Sequence, residues 1–134
     1  MKIQYSGPRP TEGELEILGI IWEKGEASVK DIHSSIAAYK KTGYTTTLKL
    51  LQLMFEKGIV TRKEIGRKHI YRSAIDKDLL AQKMTDRLIG HLFDGSPAKL
   101  AIKALSSGLF SNSRNELLTL QELIHSLLAK AKDQ

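Results

Sequence analysis

Apolar side chains return every three or four residues along most of this chain and alternate with polar ones in one stretch near its middle. Over residues 11–24, Leu15, Leu18 and Trp22 share a helical face with Ile17 and Ile21 beside them, which predicts a first helix. Thr11 and Glu14 stand at capping-box spacing after Pro10, and Gly25 is a stop signal. Ala27 is expected in a very short strand. Ser28 then caps a second helix to about Ala38, with Asp31 at the matching box position and Val29, Ile32 and Ile36 turned inward. Lys40-Lys41-Thr42-Gly43 forms the next turn. A third helix is expected from Thr45 to Lys57, closed by Gly58, with Leu48, Leu51 and Phe55 as its buried stripe and Leu50 and Met54 adjoining. The threonines at its start suit a first turn, where hydroxyls can cap free N–H groups. Ile59–Ile65 and His69–Ala74 then read as two strands. Gly66-Arg67-Lys68 joins them, and the glycine permits the positive φ of a tight hairpin.

Past Ile75 the period is helical to the end. Asp76 can cap a long helix to about Phe93, in which Leu80, Met84, Leu88 and Leu92 recur at steps of four. Gly95-Ser96-Pro97 breaks it, and Pro97 suits the first turn of another helix that Gly108 ends. Ser113 and Glu116 form a further capping box, opening a last helix to about Lys132 in which Leu117, Leu120, Ile124 and Leu127 follow a 3-4-3 spacing. These two stripes exceed what three short helices can bury internally, so both are expected at a homodimer interface. Three helices followed by a two-stranded hairpin is the order of a winged helix-turn-helix. The expected fold class is mainly α with a small β-hairpin wing. Residues 8–75 form the winged-helix DNA-binding domain and residues 76–132 a helical dimerisation domain.

Charge sharpens this picture. The net charge is +6, and residues 1–75 carry +5 of it. Residues 40–72 hold nine cations against Glu56 and Glu64, a local balance of +7 that favours a polyanion partner. In a winged helix the third helix enters the major groove and the hairpin tip lies against backbone or minor groove. The candidate DNA contacts are therefore Lys41, Tyr44, Thr45, Thr46 and Lys49, with Arg67 and Lys68 on the wing. Double-stranded DNA is the expected partner.

Other chemistry finds little footing. The chain has no cysteine, which excludes disulfides, thiol catalysis and cysteine-ligated metal, and fits a reducing compartment. His33, His69, His91 and His125 are scattered without metal-ligand spacing, and no glycine-rich phosphate loop occurs. The first ten residues lack the apolar core of a secretory signal, and no run approaches the roughly 18 apolar residues of a spanning helix. A cytoplasmic protein with no catalysis, no cofactor, no metal and no membrane insertion is expected. The main alternative is a winged-helix interaction module whose basic stripe binds an acidic protein. A weaker one is a peripheral membrane binder using the last helix.

The stretches GELEILGIIWEKGEASVKDI, GYTTTLKLLQLMFEKGIVTRKEIGRKHIYRSAI and HLFDGSPAKLAIKAL resemble the penicillinase repressor family of winged-helix regulators (the BlaI, MecI and CopY group). The most specific matches are Glu14-Leu15-Glu16-Ile17-Leu18 with Trp22, Tyr44-Thr45-Thr46, Glu56-Lys57-Gly58, and Gly66-Arg67 before Tyr71. The resemblance implies repression by binding dyad operators, a C-terminal dimerisation domain, and DNA contact at Thr45, Thr46, Lys49 and Arg67. It also implies relief through a membrane sensor metalloprotease pathway. This chain departs from the pattern in four places. Lys49 stands where a threonine is frequent, and Leu53 where an arginine is. Ala101-Ile102-Lys103-Ala104-Leu105 lacks the Asn-Phe pair cleaved in the group, and the cysteine cluster of the copper-responsive branch is missing.

Overall fold

The computed structural model describes residues 9–131. The reading of the first ten residues falls largely on residues 1–8, where the 8–75 span also begins, and the last expected helix ends at Lys132. Those positions lie outside the described residues. The element order is α1 (Glu12–Lys24), β1 (Ala27–Ser28), α2 (Val29–Ala37), α3 (Tyr44–Glu56), β2 (Val60–Ile65), β3 (Lys68–Ser73), α4 (Lys77–Leu92), α5 (Pro97–Ser106) and α6 (Arg114–Ala131).

Local chemistry accounts for most helix starts. The Thr11 hydroxyl accepts from Glu14 N at 3.2 Å while Thr11 N donates to Glu14 Oε1 at 2.9 Å, a closed capping box. Ser28 and Asp31 repeat the device at α2, with bonds of 3.2 and 3.4 Å. Ser113 and Glu116 do so at α6, with bonds of 3.0 and 3.4 Å. Ser96 caps α5, with Pro97 in its first turn. The start of α3 differs from expectation: Gly43 is its N-cap and no side chain caps it. The threonine hydroxyls do not fill that role, because Thr45 and Thr46 already lie inside the helix and face out, while Thr47 is 1% exposed and faces in.

β1, β3 and β2 form one antiparallel sheet in that order. Ala27 pairs with Tyr71, and β2 pairs with β3 from Val60↔Ser73 to Ile65↔Lys68. Lys68 therefore belongs to β3, and the connection is the two-residue Gly66-Arg67 rather than three residues. Gly66 has φ +64, and Arg67 is not among the positive-φ residues, the pattern of a type II′ hairpin. Glycine at that position frees the turn from the steric cost a Cβ would bring.

The core gathers Ile17, Leu18 and Ile21 of α1, Val29, Ile32 and Ile36 of α2, and Leu51 and Met54 of α3, with Ile59, Val60, Tyr71 and Ile75 beneath the hairpin. The inward stripe of α3 is thus Thr47, Leu51 and Met54. Leu48 is half-buried, and Phe55 is 38% exposed, so neither anchors the stripe expected from apolar spacing. Glu14 is also buried, and its carboxylate meets Lys57 Nζ at 2.9 Å, tying the first turn of α1 to the end of α3. Trp22 Nε1 donates to the Ile75 carbonyl at 3.2 Å and fixes where the chain leaves the hairpin.

The chain forms two compact units that divide within α4, after Met84 and past the sequence boundary at Ile75. Leu80 is 6% exposed in the core of the first unit, and Met84 packs against that core. Those two side chains are therefore covered within the monomer, unlike the later members of the same stripe. In the second unit, no residue of α5 or α6 is buried.

Candidate nucleic-acid interface

α3 is amphipathic about its own axis. With Thr47, Leu51 and Met54 turned to the core, the 3.6-residue repeat sends Thr45, Thr46, Lys49, Gln52, Leu53 and Glu56 to the opposite side. All six are exposed. Thr46 and Lys49 lie three apart and Lys49 and Leu53 four apart, so they form neighbouring rows on one surface. Tyr44, in the first turn, meets the His33 ring edge-on with centroids 5.6 Å apart, which steadies the entry to the helix. Lys41 is exposed in the preceding turn. Because α3 has no side-chain cap, its first N–H groups and the positive end of its dipole stay available to an anion.

The wing supplies the second part. Arg67 occupies the hairpin loop and Lys68 opens β3, both exposed. A groove runs between wing, α3 and the start of α2, with Lys30, Tyr44, Gln52, Arg62, Arg67 and Lys68 among its lining residues. The wing cations and Tyr44 thus share one groove, while Thr45, Thr46 and Lys49 crown the helix beside it. Lys30, Gln52, Arg62 and His69 line it too and were not among the sequence-derived contacts. Arg62 was visible only as one cation of the basic window, and Lys30 was not singled out.

The structure also sorts the basic window. Lys40 pairs with Glu16 at 2.9 Å, Lys57 with Glu14 at 2.9 Å and Lys63 with Glu26 at 3.6 Å. Glu16 also accepts a hydrogen bond from the Tyr39 hydroxyl. That bond pushes the Tyr39 phenol up to about 12. The bonds from Tyr39 and then Lys40 hold the Glu16 carboxyl below its usual range. Among the described residues, Lys41, Lys49, Arg62, Arg67, Lys68 and Arg72 make no ion pair and leave their charge to a partner. Asp31 is held below its ordinary value chiefly by hydrogen bonds from Ser28, with Lys24 and Lys68 adding charge.

Of the residues assigned to dimerisation, Leu88, Leu92, Leu117, Ile124 and Leu127 are exposed and Leu120 is half-buried. Ile102, Leu105, Leu109, Phe110, Leu118, Leu123 and Leu128 are exposed as well, with Leu109 at 78% and Phe110 at 80%. A 3-4-3 search along one helix misses them, because several lie in α5 or in the segment before α6.

A family model described as penicillinase repressor matches residues 10–126. A penicillinase repressor of Staphylococcus aureus is 23% identical over 117 residues, covering 87% of this chain and 91% of that protein. The solution structure of monomeric Bacillus licheniformis BlaI in complex with the blaP half-operator aligns with a TM-score of 0.48 at 21% identity. That alignment covers 54% of this chain and 88% of the other.

Proposed function

Because the chain belongs to the penicillinase repressor family, we propose that it represses transcription as a homodimer on a dyad operator, with α3 in the major groove and the β2–β3 wing on the backbone. It is a DNA-binding transcriptional repressor and not an enzyme. The observation that carries the finer reading is the outward face of α3. Thr45, Thr46 and Lys49 stand exposed there, beside a wing whose tip cations, Arg67 and Lys68, make no ion pair among the described residues. A helix of this kind fits a major groove about 12 Å wide, and short hydroxyls and a lysine can reach base edges there. Arg67 and Lys68 meet phosphate, which positions the domain without reading sequence.

The homodimer rests on the second unit. Apolar side chains stand exposed along α5, α6 and the segment between them, and exposed apolar surface of this kind suits an interaction site. A second copy would cover it and pair two winged-helix units for half-sites one helical turn apart or a multiple of it, about 34–36 Å per turn. We place the repressor in the cytoplasm with its operator. Among the described residues no helix is long and apolar enough to cross a membrane. A membrane sensor metalloprotease pathway is the proposed source of relief. It would have to act without an Asn-Phe bond, because the corresponding stretch Ala101–Leu105, inside α5, contains none.

The test is competition binding with an operator recovered by in vitro selection against random duplex. Thr46→Ala and Lys49→Ala should each leave the melting temperature nearly unchanged. Each should cut the operator preference about five- to 150-fold, corresponding to a base contact of about 1–3 kcal/mol. If neither variant moves that ratio, α3 is not the reader.

A further inference from the structure

The groove between α3 and the wing has a composition that reading bases does not require. Four of its lining residues, Lys30 of α2, Arg62 of β2, Arg67 of the loop and Lys68 of β3, are cations, and among the described residues no carboxylate lines it. Among the described residues none of the four makes an ion pair, and the Asp31 carboxylate, which feels Lys68, already accepts a hydrogen bond from Ser28 N. Like charges brought together from three separate places in the chain repel one another, which costs stability and is relieved by a bound anion. Arg62 shows a further arrangement. Its guanidinium lies 3.9 Å from the centroid of the Phe55 ring, flat aromatic surface that α3 leaves exposed. Such stacking restricts a long side chain to few rotamers while leaving its N–H fork free. A planar fork held in place suits the two oxygens of a phosphate.

We infer that this groove seats a phosphate group of the DNA backbone, held by Lys30, Arg62, Arg67 and Lys68, with Phe55 as the positioning residue for Arg62. The inference rests on the DNA-binding reading above and extends it to two cations and an aromatic that were not among the sequence-derived contacts. Tyr44 and Gln52, on the same wall, can add neutral donors to the same oxyanion. A backbone strand would then run between wing and recognition helix, fixing the depth at which Thr46 and Lys49 meet the bases. A free phosphorylated molecule offers the same oxyanion, so the experiment separates the two sources.

Full-length protein is titrated with a mixed-sequence duplex and with the selected operator across about 50–200 mM salt. Lys30→Ala and Arg62→Ala should each flatten the plot of log K against log salt, by at most about 0.9 per protomer because the four cations share one phosphate. Each should weaken both duplexes by one common factor, so the operator preference stays put. Arg62→Gln, with melts of every variant, guards against a folding effect, and Lys103→Ala on α5 is the control for loss of a charge elsewhere. Phe55→Leu keeps the charge, so its slope should stay near wild type while affinity drops about two- to fivefold. Phe55→Tyr should restore that affinity, and Phe55→Leu should do nothing further once Arg62 is Ala. Wild-type slopes for both Lys30→Ala and Arg62→Ala, with operator preference intact, would overturn the phosphate seat and leave the repressor reading standing. Flattened slopes in a protein that prefers no operator would support the seat and overturn the repressor reading. If inorganic phosphate shifts the backbone resonances of Lys30 and Arg62 saturably while the DNA slopes do not change, the groove serves a free anion and the inference fails.

Discussion

Replacing Lys57 by methionine removes the cationic partner of Glu14, a carboxylate only 1% exposed. Breaking a buried pair in this way costs about 3–5 kcal/mol, because the remaining charge is left uncompensated. Two features soften the loss here. Thr11 N still donates to the carboxylate at 2.9 Å, and Glu14 sits in the first turn of α1, where the helix dipole favours an anion by about 0.3–1 kcal/mol. We therefore expect about 2–3 kcal/mol of destabilisation near neutral pH. Glu14→Gln should cost less, about 1 kcal/mol, since Lys57 is one-third exposed and can turn to water while the amide oxygen still caps Thr11.

The pH dependence gives this prediction its edge. In the wild type, burial pushes the Glu14 carboxyl up, but the hydrogen bonds from Lys57 and Thr11 and the Lys57 charge outweigh it, so it lies below its ordinary value. A carboxyl lowered by folding contributes stability above its unfolded value and loses that contribution as pH falls through the folded one. Without Lys57, burial is opposed only by Thr11, and the carboxyl binds its proton more readily in the folded state. Acid then harms the variant less than the wild type, and the stability gap should narrow between pH 7 and about pH 4. Urea unfolding followed by Trp22 fluorescence measures both curves. A gap that stays constant over that range, or a Lys57→Met protein as stable as wild type, would refute the reasoning.

Two further outcomes follow from burial alone. Leu51→Ala empties a fully buried position of α3 and should cost about 2–5 kcal/mol in thermal or urea melts, lowering operator affinity only as the fold itself is lost. Ile124→Asp places a charge on the exposed apolar face of α6. It should leave the winged-helix unit folded by circular dichroism while sedimentation equilibrium changes from dimer to monomer, and a wild type already monomeric at micromolar concentration would sink the dimer proposal.

Much of the winged-helix unit is legible from its residues because the physics that sets it is local. Capping boxes at Thr11/Glu14 and Ser28/Asp31 need only three residues of separation, and Gly66 announces a hairpin by its own backbone freedom. The exposed side of α3 is nearly as local, since Thr46 and Lys49 share a face in any helix that buries Leu51. Periodicity gives a stripe of residues but not what the stripe meets. Phe55 was spaced like a core residue and instead offers its ring to Arg62, whereas Thr47 looked like a capping hydroxyl and is buried.

Where each stripe and each charge ends up depends on long-range packing. Leu80, Met84, Leu88 and Leu92 are equivalent along the sequence, yet the first two pack on the winged-helix core and the last two are left exposed. Lys40 and Lys57 counted toward the basic window until folding paired them with Glu16 and Glu14. Arg62 and Lys30, 32 positions apart, became neighbours of one groove only when the hairpin folded beside α2 and α3. Element types follow from residues within a turn of one another, their order from the chain and the sign of the charge from composition, so all three are legible before folding. Which charges are neutralised, which apolar faces stay bare and which cations converge depend on contacts between segments far apart in the chain, and packing sets those.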